Sequence, residues 1–244
     1  VRVEQEPAYL LHRRAYRESS ALLEAYTPGH GRVGLVQRGA QRPRKGQDRI
    51  QPFCRLSLSW SGRGQLFTLG RYEVGPVRIA HDPRATLCGL YLNELLMNLV
   101  PRWAHNEELF RCYEDTLAVL GSGRGTEPAL RRFEFELLGA IGYGLQLEHE
   151  GETGRSIVGE RWYRYDNESG PRPCAPGRAG CVSGHTLIAL REWRIPDAET
   201  LREIKRLLGD VIRFHLQGRH LHTRSIMQYM QTMRHEGTPH VTTR

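Results

Sequence analysis

The sequence predicts an α+β protein: a small β-barrel or sandwich at the N-terminus, followed by a mainly helical region with one small non-helical insertion. Two observations predict it. Residues 1–80 alternate apolar and polar side chains and break at turn residues every eight to twelve positions. Beyond residue 80 the apolar side chains recur at helical spacing instead, except between residues 146 and 185. Charge follows the same division. Residues 1–80 hold 14 Lys/Arg and 6 Asp/Glu, a balance of +8, whereas residues 81–244 hold 21 of each. The whole positive excess lies in the β region, the electrostatic footprint of a domain that binds a polyanion.

Five strands are expected there, over residues 8–14, 21–26, 31–38, 53–59 and 65–72. Val33 and Leu35 alternate with Arg32 and Gly34, and Leu56, Leu58 and Trp60 with Ser57 and Ser59. Period two with one apolar face marks a half-buried strand. Thr27-Pro28-Gly29-His30-Gly31 and Ser61-Gly62-Arg63-Gly64 are turns by composition, the second closing a hairpin. Residues 39–50 are polar and basic and predict a mobile loop, read as a basic arm that closes on a phosphate backbone, with a solvated connector as the alternative. Candidate residues for binding nucleic acid are Arg13, Arg14, Arg17, Arg32, Arg38, Arg42, Arg44 and Lys45. Aromatic residues lie among them, and an exposed one could stack a base. For any single one, a place in the core is the expectation.

In the second half, Asp82 and Pro83 open a helix that runs to Pro101. Residues 107–120 and 127–141 give two more, with stripes led by Leu109, Phe110, Tyr113 and Leu117, and by Leu130, Phe133 and Leu137. Gly121–Gly125 between them is expected as a linker, since no strand precedes it and no Gly-Lys-Ser/Thr follows. Helices resume at residues 183–191, 197–217 and 225–233. Five widely spaced cysteines suggest free thiols. No run approaches the ~18 apolar residues of a spanning helix, so a cytoplasmic protein without a membrane partner is expected. No HExxH, GxSxG or phosphate loop stands in the chain, so neither an enzyme nor a bound cofactor is expected.

Longer matches point to a family. Leu10-Leu11-His12-Arg13-Arg14, Tyr16-Arg17-Glu18, His30-Gly31-Arg32-Val33-Gly34-Leu35-Val36 and Leu58-Ser59-Trp60-Ser61-Gly62 occur in order. Leu90-Tyr91-Leu92-Asn93-Glu94-Leu95, Arg131-Arg132-Phe133-Glu134, Gly142-Tyr143-Gly144 and Leu221-His222-Thr223-Arg224-Ser225 follow. Together they make nearly the whole chain resemble the RecO recombination mediators. The resemblance implies an OB-fold over residues 1–80, a helical domain over 81–145 and 186–244, and an inserted small subdomain over 146–185. It implies binding of single-stranded and double-stranded DNA, strand annealing at the nucleoid and work with RecR. It also implies indirect help to RecA in displacing single-strand-binding protein.

The same resemblance implies a groove for the acidic, Phe-ended tail of single-strand-binding protein, with Arg131 and Arg132 beside it. Ordinary ion pairing along the helix is the competing account of those two arginines. The family's subdomain often carries two CxxC pairs. Here six residues separate Cys174 from Cys181, and Glu148, His149 and Glu150 stand where the first pair belongs. His149, Cys174, Cys181 and His185 offer zinc ligands at poor spacing, so a metal-free subdomain is the expectation. A general RNA-binding OB protein and a pure protein adaptor are the alternatives in function.

Overall fold

The computed structural model describes residues 1–40, 49–79, 82–223 and 225–226. They fall into two compact units, residues 1–126 with the segment from 219 onward, and residues 127–218.

In the first unit, β1 (Arg2–Tyr16), β2 (Ser20–Thr27), β3 (Gly31–Gln37), β4 (Cys54–Ser61) and β5 (Leu66–Val77) close a barrel in the order β1-β2-β3-β5-β4. This is the OB-fold arrangement. Two features allow closure. β1 is long enough to serve two neighbours: Arg2–Ala8 pairs with β4, and Tyr9–Tyr16 with β2. The last gap is sealed by a short parallel pairing of Gly34–Val36 with Leu66–Thr68. The alternation read in the sequence then fills the interior with Leu10, Leu23, Val33, Leu35, Leu56, Leu58, Trp60 and Phe67, all buried.

Part of the opposite face of β1–β3 does not meet water. Tyr9, Glu24, Tyr26 and Arg32 point outward from the barrel and are buried all the same. They pack on α1 (Pro83–Leu99) and α2 (Glu107–Ser122), whose N-caps are Asp82 and Asn106. Tyr9 and Tyr26 meet Phe110 and Tyr113 at ring-centroid distances of 5.3–6.0 Å. Burial, helped by its hydrogen bond to Glu114, pushes the Tyr9 hydroxyl up to about 12. Where β1 shifts register between Leu10 and His12, the carbonyls of Leu10 and Leu11 accept from Asn93 Nδ2. Asn93 Oδ1 in turn accepts from Tyr113 at 2.6 Å, so one amide satisfies the bulge and ties both helices to it.

Arg32 completes the join. Its Nη1 donates to the carbonyls of Leu96, Met97 and Val100 where α1 ends and its backbone ladder runs out. Its Nη2 donates to Glu24, and Arg102 grips both oxygens of the same carboxylate at 2.6 and 3.0 Å. Gly121 is needed where α2 passes β5: a Cβ there would lie 1.9 Å from the carbonyl oxygen of Arg78. The glycine read as the start of a linker is therefore the last turn of a helix, and the chain leaves it through Gly123 in the left-handed region. Farther along, the backbone amides of His222 and Thr223 donate to Glu94 of α1, and Arg219 donates to Asn98 O. The compact units thus divide the chain differently from the 1–80 boundary, because the outer face of the barrel and these two helices share one core.

The second unit holds α3 (Thr126–Ala140), a sheet in the order β7-β6-β8, and α4 (Gly184–Glu192) and α5 (Ala198–His215). β6 (Trp162–Asp166) alternates Tyr163 and Tyr165 with Trp162 and Arg164, whereas β7 (Gly170–Cys174) and β8 (Cys181–Ser183) arise in a stretch rich in Pro and Gly. Glu203 of α5 is buried and accepts from Ser183 N, Ser183 Oγ and Thr186 Oγ1, placing a carboxylate at the N-terminus of α4. The helix expected from residue 225 lies outside the described residues beyond Ile226.

The Glu24 cluster makes a prediction. Burial alone would raise the carboxyl's pKa, but hydrogen bonds from Arg102 and Arg32, and their charge, hold it below its ordinary value of 4.5. A carboxyl depressed in the folded state adds stability above its ordinary range and loses it as the pH falls through the folded value. Glu24→Ala should lower unfolding free energy near neutral pH by about 3–5 kcal/mol, since it strands two arginines. Urea unfolding at several pH values should show the gap between variant and parent narrowing below pH 4.5.

Candidate nucleic-acid interface

Strand register gathers the basic residues at one end of the barrel. Arg14 pairs with Leu22, which pairs with Val36; one step on, Ala15 lies opposite Ala21 and Ala21 opposite Gln37. The β1–β2 turn with Arg17 and the end of β3 with Arg38 therefore emerge side by side. Arg14, Arg17 and Arg38 are exposed. Arg17 sits in the left-handed region (φ 54°) with its guanidinium 5.1 Å from the ring centre of Tyr16. Arg13 is half-buried, and its Nη2 donates to Ala40 O at 3.1 Å, tethering the chain that leaves β3. Arg42, Arg44 and Lys45, the proposed basic arm, lie outside the described residues.

Arg32 requires correction. It is 9% exposed and spends both terminal nitrogens of its guanidinium on α1 and Glu24, so it is not open to a phosphate. Counting charges along the chain could not separate it from Arg38 six residues on. Arg71, in contrast, went unnoticed. It is exposed and follows Leu66–Thr68, which runs parallel to β3; its neighbour Tyr72 accepts from Gln37 Nε2 at 3.5 Å. Only the non-local β3–β5 pairing brings Arg71 to the same rim. Tyr9, Tyr26, Phe53 and Trp60 are buried, which leaves Tyr16 and Tyr72 as the part-exposed aromatics beside these arginines.

In the second unit the paired arginines of α3 separate. Arg131 is 5% exposed and bonded to the buried Glu134 at 2.8 Å, which removes it from any surface site. Arg132 faces outward. It pairs with Glu136 at 2.6 Å and lies 4.8 Å from the ring centre of Trp193, which itself stacks on Phe135 at 6.2 Å. A guanidinium beside two part-exposed rings is a surface on which an apolar group and a carboxylate can be held together.

The small sheet carries the two cysteines of the insertion, at the end of β7 and the start of β8. Cys174 and Cys181 are joined as a disulfide, correcting their expectation as free thiols and leaving neither as a thiolate ligand. Cys54, Cys88 and Cys112 take no part in a disulfide. His149 and His185 are exposed and apart from that pair, and the described residues contain no group of three His, Cys, Asp or Glu placed to hold a metal ion. Glu150 holds this region instead: buried, it accepts from Thr153 Oγ1 and Tyr163 OH and faces Arg161 at 3.5 Å.

Comparison with known proteins settles the family. A model described as "Recombination protein O N terminal" matches residues 2–75, and "Recombination protein O C terminal" matches residues 80–225. The chain belongs to the RecO family. A DNA repair protein RecO from Methylococcus capsulatus is 47% identical over 93% of this chain and 94% of its own length. Those from Nitrosococcus oceani and an Azoarcus species are 43% and 39% identical, over 96% and 93% of this chain and 96% of each relative. The general role of this RecO chain is therefore in DNA repair and recombination. Among the described residues no helix is long and apolar enough to cross a membrane.

The two arginines of α3 in this RecO chain should part company on substitution. Arg131→Ala leaves Glu134 buried without its charge partner and should cost about 3–5 kcal/mol in urea unfolding. Arg132→Ala removes only an exposed pair and should cost less than about 1 kcal/mol. The reverse order would mean that the surface and buried roles have been exchanged.

Proposed function

We propose that this RecO protein binds single-stranded DNA at the rim formed by Arg14, Arg17, Arg38 and Arg71 and anneals complementary strands into duplex. In this reading it works with RecR to help RecA load onto DNA coated by single-strand-binding protein, and it does so in the cytoplasm at the nucleoid without catalysing a reaction. The observation that carries it is the convergence of four exposed arginines from three separated segments onto one end of an OB barrel. Helices cover the outer face of β1–β3, so a strand would run over this end rather than across those strands. The contacts are ionic, with Tyr16 beside them for stacking.

Arg132, Trp193 and Phe135 are the proposed dock for the tail of single-strand-binding protein: the rings take its apolar end and the guanidinium its carboxylate. Arg131 is not part of that dock.

The test is fluorescence anisotropy of a labelled mixed-sequence single strand titrated with salt, beside an RNA strand of the same sequence. The combined Arg14→Ala/Arg17→Ala/Arg38→Ala protein should lose ~0.7 in the slope of log K against log salt for each phosphate contact removed. A slope equal to the parent's would take the rim out of the site. Equal affinity for RNA would favour a general nucleic-acid binder over a DNA mediator.

A further inference from the structure

The groups around the Cys174–Cys181 disulfide suit a bond that exchanges. Cys174 ends β7 and Cys181 begins β8, the two outer strands of the small sheet. In the register of β6, Trp162 pairs with Cys174, and Arg164 pairs with both Arg172 and Cys181. Cross-strand partners share a face, so both cysteines stand on the face that carries the two arginines. Cys174 is partly exposed whereas Cys181 is buried, so an incoming thiolate meets Cys174 first.

Arg164 is the cation beside the inner sulfur. Cross-strand partners hold their Cβ atoms about 4.5–5.5 Å apart, which sets its side chain next to that of Cys181. Its Nη2 donates to Ala179 O at 2.9 Å, and its Nε stands 4.0 Å from where a Cβ on Gly180 would lie. The guanidinium thus lies along the segment that leads into Cys181. Among the described residues no carboxylate pairs with it, and its hydrogen bond goes to a neutral carbonyl. Arg172 stands opposite on β7 and pairs with Glu152 at 3.1 Å. Like charges directly opposite weaken a sheet, and a thiolate beside Arg164 relieves that repulsion. Cys54 and Cys88 differ. Both are buried, and burial pushes the Cys54 thiol up, the setting of an inert cysteine.

We propose that Cys174–Cys181 is a thiol–disulfide exchange site whose reaction partner is a dithiol, with Arg164 stabilising the departing thiolate. One thiolate of the dithiol bonds to Cys174 Sγ as the Cys174–Cys181 bond breaks, and the electron pair leaves on Cys181 Sγ. The second thiolate then attacks the dithiol's own sulfur in the mixed disulfide and expels Cys174. The protein gains two electrons and two protons, and the dithiol becomes a disulfide. Run in reverse, the same steps close the bond. Reduction leaves residues 175–180, with the exposed Arg178, held only by their flanking strands. The site is independent of the barrel rim and of the tail dock.

The test equilibrates the full chain in reduced and oxidised dithiothreitol at graded ratios, traps thiols with N-ethylmaleimide and locates the label by peptide mass spectrometry. Cys174 and Cys181 should gain label together in one two-electron transition, while Cys54 and Cys88 stay unlabelled in the folded chain. Trypsin should cut after Arg178 faster in the reduced protein. Arg164→Gln, which keeps a donor for Ala179 O, should slow reduction about threefold. Arg164→Lys should restore the rate, a rescue that a merely structural arginine does not predict. A bond that stays closed in excess dithiothreitol would overturn the exchange site and leave a fixed structural link. Label on both cysteines at every ratio, with no closed form, would overturn it too. Equal rates in parent and Arg164→Gln would remove the guanidinium from the proposal.

Discussion

The first unit depends on one buried carboxylate. Glu24 stands on the outer face of β2, where a barrel strand ordinarily meets water, and two arginines converge on it from different segments. Arg32 also reaches the open carbonyls of α1, so a single guanidinium satisfies both the strand's carboxylate and the helix terminus. A buried ion pair is weak evidence for stability when taken alone, because desolvation offsets much of the attraction. Here it fixes position instead. The carboxylate is satisfied only where the end of α1, the loop carrying Arg102 and β2 stand in one arrangement. The aromatic packing of Tyr9 and Tyr26 then follows with little freedom left.

That arrangement redirects the barrel's use. Once α1 and α2 occupy the outer face of β1–β3, the exposed parts of the barrel are its rims and the β4–β5 side. Around β1–β3, Arg14, Arg17 and Arg38 are accordingly left in water, whereas Arg32, beneath the end of α1, is buried. Excess charge along a sequence says that a polyanion can be attracted; burial decides which of those charges can touch it.

The sequence made the strands legible because period two survives wherever one face is buried. It missed Arg2–Pro7 of β1, where little is buried, and the later half of β5, where Gly75 and Pro76 interrupt the pattern. β7 and β8 were hidden by prolines and glycines that an edge strand tolerates. Site residues were harder to read than elements. Arg14, Arg17 and Arg38 could be chosen from charge alone, but Arg32 and Arg131 have the same composition around them and are buried. Neither partner of Arg32 is visible locally: Glu24 faces it across a hairpin, and the end of α1 lies more than sixty residues along the chain. Arg71 needed a parallel strand pairing that no local pattern announces.

The grip of Glu94 on His222 and Thr223 has a consequence for how this molecule is made. The segment that finishes the first unit is delivered only after the whole second unit has been translated. On the ribosome the barrel and its two helices emerge early, yet the carboxylate on α1 waits more than a hundred residues for its backbone donors. The second unit is therefore synthesised, and free to fold, inside a chain whose first unit is still incomplete. Nascent chains stalled before residue 219 should expose that unfinished side of α1 to chaperones, a vulnerability of biogenesis that the finished protein no longer displays.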